Sequence, residues 1–138
     1  MRKYLLDTNV VSEVRKQKPH GAVLSWMTNL REEQIYVSAV TLGELQAGVE
    51  LTRRQDPKKA DEIETWIDQL SESLQVLSMD TICFREWARL MNRKPDHLIE
   101  DGMIAATARI HRLIVATRNE IDFRNFDVAI VNPFQAGS

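Results

Sequence analysis

Short β-rich apolar runs alternate with longer stretches of helical periodicity along this chain, and that alternation leaves few folds open. Residues 3–6 (Lys-Tyr-Leu-Leu) read as a buried strand that stops at Asp7. Asp7-Thr8-Asn9 is a capping cluster that opens a helix through Val10, Val11 and Val14. Pro19-His20-Gly21 breaks it, and a second helix begins near Ala22 and runs through Leu24, Trp26, Met27 and Leu30. Ile35-Tyr36-Val37-Ser38 reads as the second strand. Thr41, with Glu44 three residues on, has the spacing of a capping box for the next helix, whose apolar stripe is Leu42, Leu45 and Val49. Asp56-Pro57 reads as a turn before a helix from Lys58 to about Ser73, and Leu74–Leu77 as a short strand. Asp80 caps a helix with Phe84, Trp87, Ala88 and Met91 on one face, closed by Pro95-Asp96. Ile99 to Arg112 is a buried helix, Leu113–Thr117 a strand, residues 118–123 a loop and residues 128–131 a last strand.

This pattern predicts an α/β fold, a three-layer sandwich with a mostly parallel central sheet flanked by helices. With 138 residues the chain favours a single domain, residues 1–134, followed by a mobile tail at 135–138. A chain of this size buries roughly two-thirds of its unfolded surface and needs no staple. Its one cysteine, Cys83, forms no intrachain disulfide, fits a reducing cytoplasm and reads as a packed thiol between Ile82 and Phe84. The N-terminal apolar run is too short for a signal peptide, and no stretch approaches a membrane span.

Four acids interrupt apolar segments at the ends of these elements: Asp7, Glu44, Asp101 and Asp122. A carboxylate among apolar neighbours needs a partner to offset its lost hydration. No matching set of Lys or Arg stands at the same ends, so a divalent cation is the simplest common partner. Each acid also has a plainer reading. Asp7 suits a helix N-cap, Glu44 the capping box, Asp101 a favourable helix N-terminus and Asp122 turn chemistry. In a parallel α/β sheet, however, ligands gather beyond the carboxyl ends of strands. Asp7 and Asp122 both follow strands, so the topology brings separate acids to one edge. Crowded carboxylates raise one another's pKa, and Mg²⁺ or Mn²⁺ relieves that repulsion while activating a water. His20, His97 and His111 show no ligand spacing, which argues against zinc.

The net charge of −2 gives no global basic field for a nucleic acid. Local cations remain: Arg53, Arg54, Lys58 and Lys59 in one stretch, and Arg85, Arg89 and Arg93 at helical spacing in another. Both also read as solvated helix surface.

Leu5-Leu6-Asp7-Thr8-Asn9, Ser38 through Leu45, Asp101 through Ala108, and Ala116-Thr117-Arg118-Asn119 through Asp122-Phe123 resemble, in order, the signature blocks of PIN-domain proteins. They look most like the VapC toxins of VapBC toxin–antitoxin modules, and Asn132-Pro133-Phe134 is similar to the ending of the FitB-like branch. The resemblance implies a Mg²⁺- or Mn²⁺-dependent endoribonuclease acting on tRNA or rRNA. Asp7 and Asp101 would hold the metal, Glu44 would position metal or water, and Asp122 would act through water or a second metal. Thr8, Asn9, Thr117 and Asn119 would orient the carboxylates, and Arg118 would hold the RNA backbone. Glu100, beside Asp101, could share its work. The resemblance further implies a homodimer, higher toxin–antitoxin assembly and a VapB-type antitoxin that blocks the acidic site. Trp26, Trp66 and Trp87 read mainly as core. Two other readings stand beside this one. An aspartyl-phosphate phosphatase of the haloacid-dehalogenase type wants a second Asp where Asn9 stands. A PIN-fold binding module without catalysis would not need all four acids.

Overall fold

The computed structural model describes residues 1–135, so the tail expected at 135–138 lies, beyond Gln135, outside the described residues. Five strands, β1 (Tyr4–Leu6), β2 (Ile35–Ser38), β3 (Gln75–Leu77), β4 (Ile114–Ala116) and β5 (Ile130–Val131), form one sheet in the order β3-β2-β1-β4-β5. All four pairings are parallel, where the sequence predicts a mostly parallel sheet. The helices are α1 (Thr8–Arg15), α2 (Gly21–Thr28), α3 (Ala39–Arg53), α4 (Pro57–Ser73), α5 (Thr81–Met91), α6 (Ile99–His111) and a short α7 (Glu120–Phe123).

Tyr4-Leu5-Leu6 is buried throughout because central parallel strands are covered on both faces. Leu5 packs with Val115, Ile104, Ala105, Ala108, Phe123 and Phe126 on one side of the sheet. Tyr4 and Leu6 pack with Val10, Val11, Val23 and Val37 on the other. Alternation along β1 thus divides the core into the two halves of a three-layer sandwich. The α3 and α4 helices form a hairpin around Val49, Ala60 and Ile67. Trp26, Trp66 and Trp87 all pack inward as expected. Trp26 meets Tyr4 edge-on at 5.0 Å, Trp66 backs onto the Leu6 cluster, and the Trp87 indole donates to the Ile99 carbonyl at 3.1 Å. Cys83 is buried, with its thiol pushed up chiefly by that burial.

Four local expectations need correction. The cap of α3 is Ser38, whose hydroxyl accepts from Val40 N at 3.0 Å; Thr41 lies inside the helix, fully buried, and makes no capping box with Glu44. Asp56-Pro57 is no separate turn but the start of α4, with Asp56 as N-cap and Pro57 in the first turn, where its missing N–H costs nothing. The expected loop at 118–123 contains a helical turn. The Arg85, Arg89, Arg93 stripe is cut, because α5 ends at Met91 and Arg93 adopts φ 65° beyond it. Ser38→Ala should cost about 1 kcal/mol by orphaning the first turn of α3; an unchanged urea midpoint would show that the cap adds nothing.

Candidate active site

The chain runs outward from β1 through β2 to β3, then returns to place β4 on the other side of β1. The reversal lies between β1 and β4, where an open parallel sheet forms a crevice beyond its carboxyl edge. Asp7 leaves β1 and Thr117 leaves β4 at that edge, and the Thr117 hydroxyl donates to Asp7 Oδ2 across the reversal at 2.8 Å. Glu44 arrives on α3, which starts at the same edge after β2. Asp101 arrives in the first turn of α6, which runs back toward the start of β4 and so begins over the same edge. Asp122 lies in α7, directly after β4.

Hydrogen bonds connect these side chains into two groups around the crevice. Asp7 is 5% exposed and accepts from Thr8 N at 2.9 Å, Asn9 Nδ2 at 3.1 Å and Thr117 Oγ1. The Thr8 hydroxyl donates to Glu44 Oε1 at 2.8 Å and lies 3.4 Å from the Thr41 hydroxyl. Across the crevice, Asn119 Nδ2 donates to Asp122 Oδ2 at 2.8 Å and to Asp101 Oδ2 at 3.3 Å. Asn119 N donates to Thr117 Oγ1 at 2.8 Å, which joins the two groups. All four predicted acids and all four predicted supporting polar residues therefore meet here. Arg118 sits at the rim, its backbone N–H donating to Asn9 Oδ1 at 3.1 Å. Glu100 is exposed, yet its charge reaches both Glu44 and Asp101.

The electrostatics follow from this crowding. Burial pushes Asp7 above the ordinary carboxylate range, and the donors Thr117, Thr8 and Asn9 pull it back. Partial desolvation raises the Glu44 carboxyl, the Thr8 bond lowers it, and the charges of Asp7 and Glu100 raise it again. Asp101 is pushed up to about 7, first by burial and then by Asp7, Asp122, Glu44 and Glu100. Burial is the cause common to all three and the leading one; neighbouring negative charge adds to it at Glu44 and Asp101 but not at Asp7. The donor set is all hard oxygen, which suits Mg²⁺ or Mn²⁺ and not zinc. Among the described residues no three Asp, Glu, His or Cys side chains stand together closely enough to hold a metal ion.

Of the seven cations in the two basic stretches, Arg53 and Arg89 are engaged by carboxylates, and Arg54, Lys58, Lys59, Arg85 and Arg93 have no ion pair among the described residues. Arg53 ties α3 to α4 through Glu50 at 3.2 Å, Asp61 at 2.5 Å and Glu64 at 2.9 Å, the plainer of its two readings. Arg89 pairs with Glu86 at 3.2 Å. His20 caps α2 through Nδ1, and His97 and His111 are exposed. One residue, Glu13, and one contact, that of Phe134, escaped the sequence reading. Glu13 is buried, accepting from Lys16 Nζ at 3.0 Å and His20 N at 2.9 Å, so it clamps the turn after α1. An acid between Val11 and Val14 was the available signal. The Phe134 ring, after β5, lies under Arg118 in the loop after β4, a contact that no local pattern announces.

A family model described as "PIN domain" matches residues 4–129. The chain is 36% identical to the toxin FitB of Neisseria gonorrhoeae over 137 residues, covering 94% of this chain and 97% of that protein. It is 35% identical to the VapC ribonuclease Y4jK of Sinorhizobium fredii, covering 95% and 97%. Its fold superposes on a chain of the FitAcB crystal structure from Neisseria gonorrhoeae with TM-score 0.85 and 34% identity, over 96% of this chain and 99% of that one. A chain of the DNA-bound VapBC structure from Salmonella typhimurium matches with TM-score 0.77 and 25% identity, over 96% and 99%.

Proposed function

The chain belongs to the PIN-domain family, and from that premise we propose that it is the toxin of a toxin–antitoxin pair, a divalent-metal-dependent endoribonuclease. The observation that carries the reading is the convergence of Asp7, Glu44, Asp101 and Asp122 at the β1–β4 reversal, with Asp101 raised to about 7. Asp7 and Asp101 would hold Mg²⁺ or Mn²⁺, with Glu44 and Asp122 completing the negative ring. Such an ion, when bound, would neutralise charge on the carboxylates and on the phosphodiester and would acidify a water. The protein's own part is orientation. Thr117, Asn9 and the Thr8 amide fix Asp7 in one rotamer, Thr8 holds Glu44, and Asn119 spans Asp101 and Asp122. Glu44 is the acid on the open side, free on one oxygen to accept a proton from water.

Partners follow from the same premise. The relatives include a FitAcB complex and VapBC complexes bound to DNA, so a VapB-type antitoxin that covers the acidic crevice is the expected inhibitor. A homodimer that joins such pairs into a larger assembly is the expected state. No helix among the described residues is long and apolar enough to cross a membrane. A tRNA or rRNA substrate implies the cytoplasm as the compartment of action.

Incubation of purified, antitoxin-free protein with cellular RNA in Mg²⁺, in Mn²⁺ and in EDTA tests the proposal. Discrete fragments are expected with either metal and none in EDTA; intact RNA in all three, from a folded sample, would overturn it. Removal of an orienting donor gives a finer test. Thr117→Val keeps the shape of the side chain but deletes the donor to Asp7 and the acceptor for Asn119 N. Turnover should fall about 10–100-fold, read as initial rates in saturating Mg²⁺. An undiminished rate would remove Thr117 from the machinery.

A further inference from the structure

Arg118 stands at the rim of the acidic crevice with no carboxylate within ion-pair distance among the described residues. It is not loose. Its guanidinium carbon lies 4.3 Å from the centroid of the Phe134 ring. Its backbone N–H is held by Asn9, the residue that also donates to Asp7. Phe134 is fixed in turn. Its N–H donates to Asn132 Oδ1 at 3.0 Å, Asn132 Nδ2 donates to Glu120 Oε2 at 2.9 Å, and Pro133 between them is buried. The His20 ring meets Phe134 edge-on at 5.5 Å and 64°. The last turn of the described chain thus braces an aromatic plate under one guanidinium.

A guanidinium stacked on a ring keeps its N–H edge free, and that edge matches a phosphate in fork geometry. The crevice beside it is strongly negative, so a polyanion approaching it needs a cation at the rim. Arg53, Arg89 and Arg109 are taken up by carboxylates; Arg118 and Arg15, the latter near Thr8 and Glu44, have no ion pair among the described residues, and of these two Arg118 is the one stacked on an aromatic ring. We propose that Phe134 is a positioning residue: it holds Arg118 so that the guanidinium edge receives a backbone phosphate of the RNA next to the one that is cut. This rests on the ribonuclease reading and adds the part of the chain that seats the substrate.

The test is steady-state cleavage by the intact protein in Mg²⁺ at several salt concentrations. Arg118→Gln, an exposed change, should raise KM roughly 3–10-fold with kcat within two-fold. It should also lower the salt slope of log KM by about 0.7, the release expected for one single-strand phosphate contact. Phe134→Leu should reproduce both effects, Phe134→Tyr should restore wild-type behaviour, and the double variant should be no worse than Arg118→Gln alone. A merely structural Phe134 would lower thermal stability without moving the salt slope. Unchanged KM in Arg118→Gln, or additive losses in the double variant, would overturn the inference while wild-type cleavage kept the ribonuclease reading intact. Absence of wild-type cleavage would overturn both.

Discussion

Asp101→Asn is expected to abolish metal-dependent RNA cleavage, by about 10³-fold or more, while making the metal-free protein more stable at neutral and alkaline pH. The two effects share one cause. Asp101 is raised from 3.8 to about 7 by burial and by the charges of Asp7, Asp122, Glu44 and Glu100. The folded state therefore holds a proton that the unfolded chain releases. The stability linked to this group is fully present below pH 4 and is lost as pH rises through about 7. Groups shifted the other way act at lower pH. Glu86, lowered chiefly by Arg109, and Asp80, lowered chiefly by Cys83 N–H, lose their contributions only as pH falls through their depressed values. Metal-free protein should thus be most stable near pH 5 and weaken toward pH 8. Because Asp101 is partly exposed, its share is about 1–2 kcal/mol after solvent screening, roughly 2–8 °C in Tm for a domain of this size. Asparagine carries no charge, so the variant should lose much of this fall, although Asp7 and Glu44 remain raised. Thermal melts in EDTA at pH 5 and pH 8 read it directly. Mn²⁺ should stabilise the wild type at pH 8 and the variant far less. A wild type more stable at pH 8 than at pH 5 without metal would refute the account.

The parts of this site that the sequence announced are those carried by strong local signals at element ends. Asp7 stands out because it halts an apolar strand, and Asp101 because a nearly all-apolar helix follows it. The alternation of strand and helix was enough to place Asp7 and Asp122 at one sheet edge; that Asp101 joins them is shown by the fold. Signals failed where tertiary packing overrode a local motif. Thr41 and Glu44 have the spacing of a capping box, yet Ser38, the last residue of β2, captures the cap, and Glu44 turns to Thr8 on α1. The helical turn at Glu120–Phe123 was unreadable because four residues carry no periodicity. The cations divide the same way. Arg53 looked available until Asp61 and Glu64, on the following helix, claimed it. Arg118 was singled out by the family resemblance alone, and only the fold brings Phe134 beneath it.

Phe123→Ala should cost about 3–5 kcal/mol, the ordinary range for truncating a fully buried aromatic, against a total stability of about 5–15 kcal/mol. Phe123 is 0% exposed and packs with Leu5, Leu98, Ile104 and Phe126 on the α6 side of the sheet. It also follows Asp122 directly, so one short helix carries both a core anchor and an acid of the crevice. Loss of the anchor should lower Tm by roughly 6–20 °C and release Asp122 from Asn119. Asp122→Asn should separate the two roles, lowering cleavage with little loss of stability. Phe84→Ala, at a ring 44% exposed on α5, is the matched surface control and should cost far less. A Phe123→Ala protein with unchanged urea midpoint would mean that α7 is held by its hydrogen bonds alone. A destabilised protein that still cleaves at the wild-type rate below its Tm would mean that Asp122 does not depend on the core beneath it.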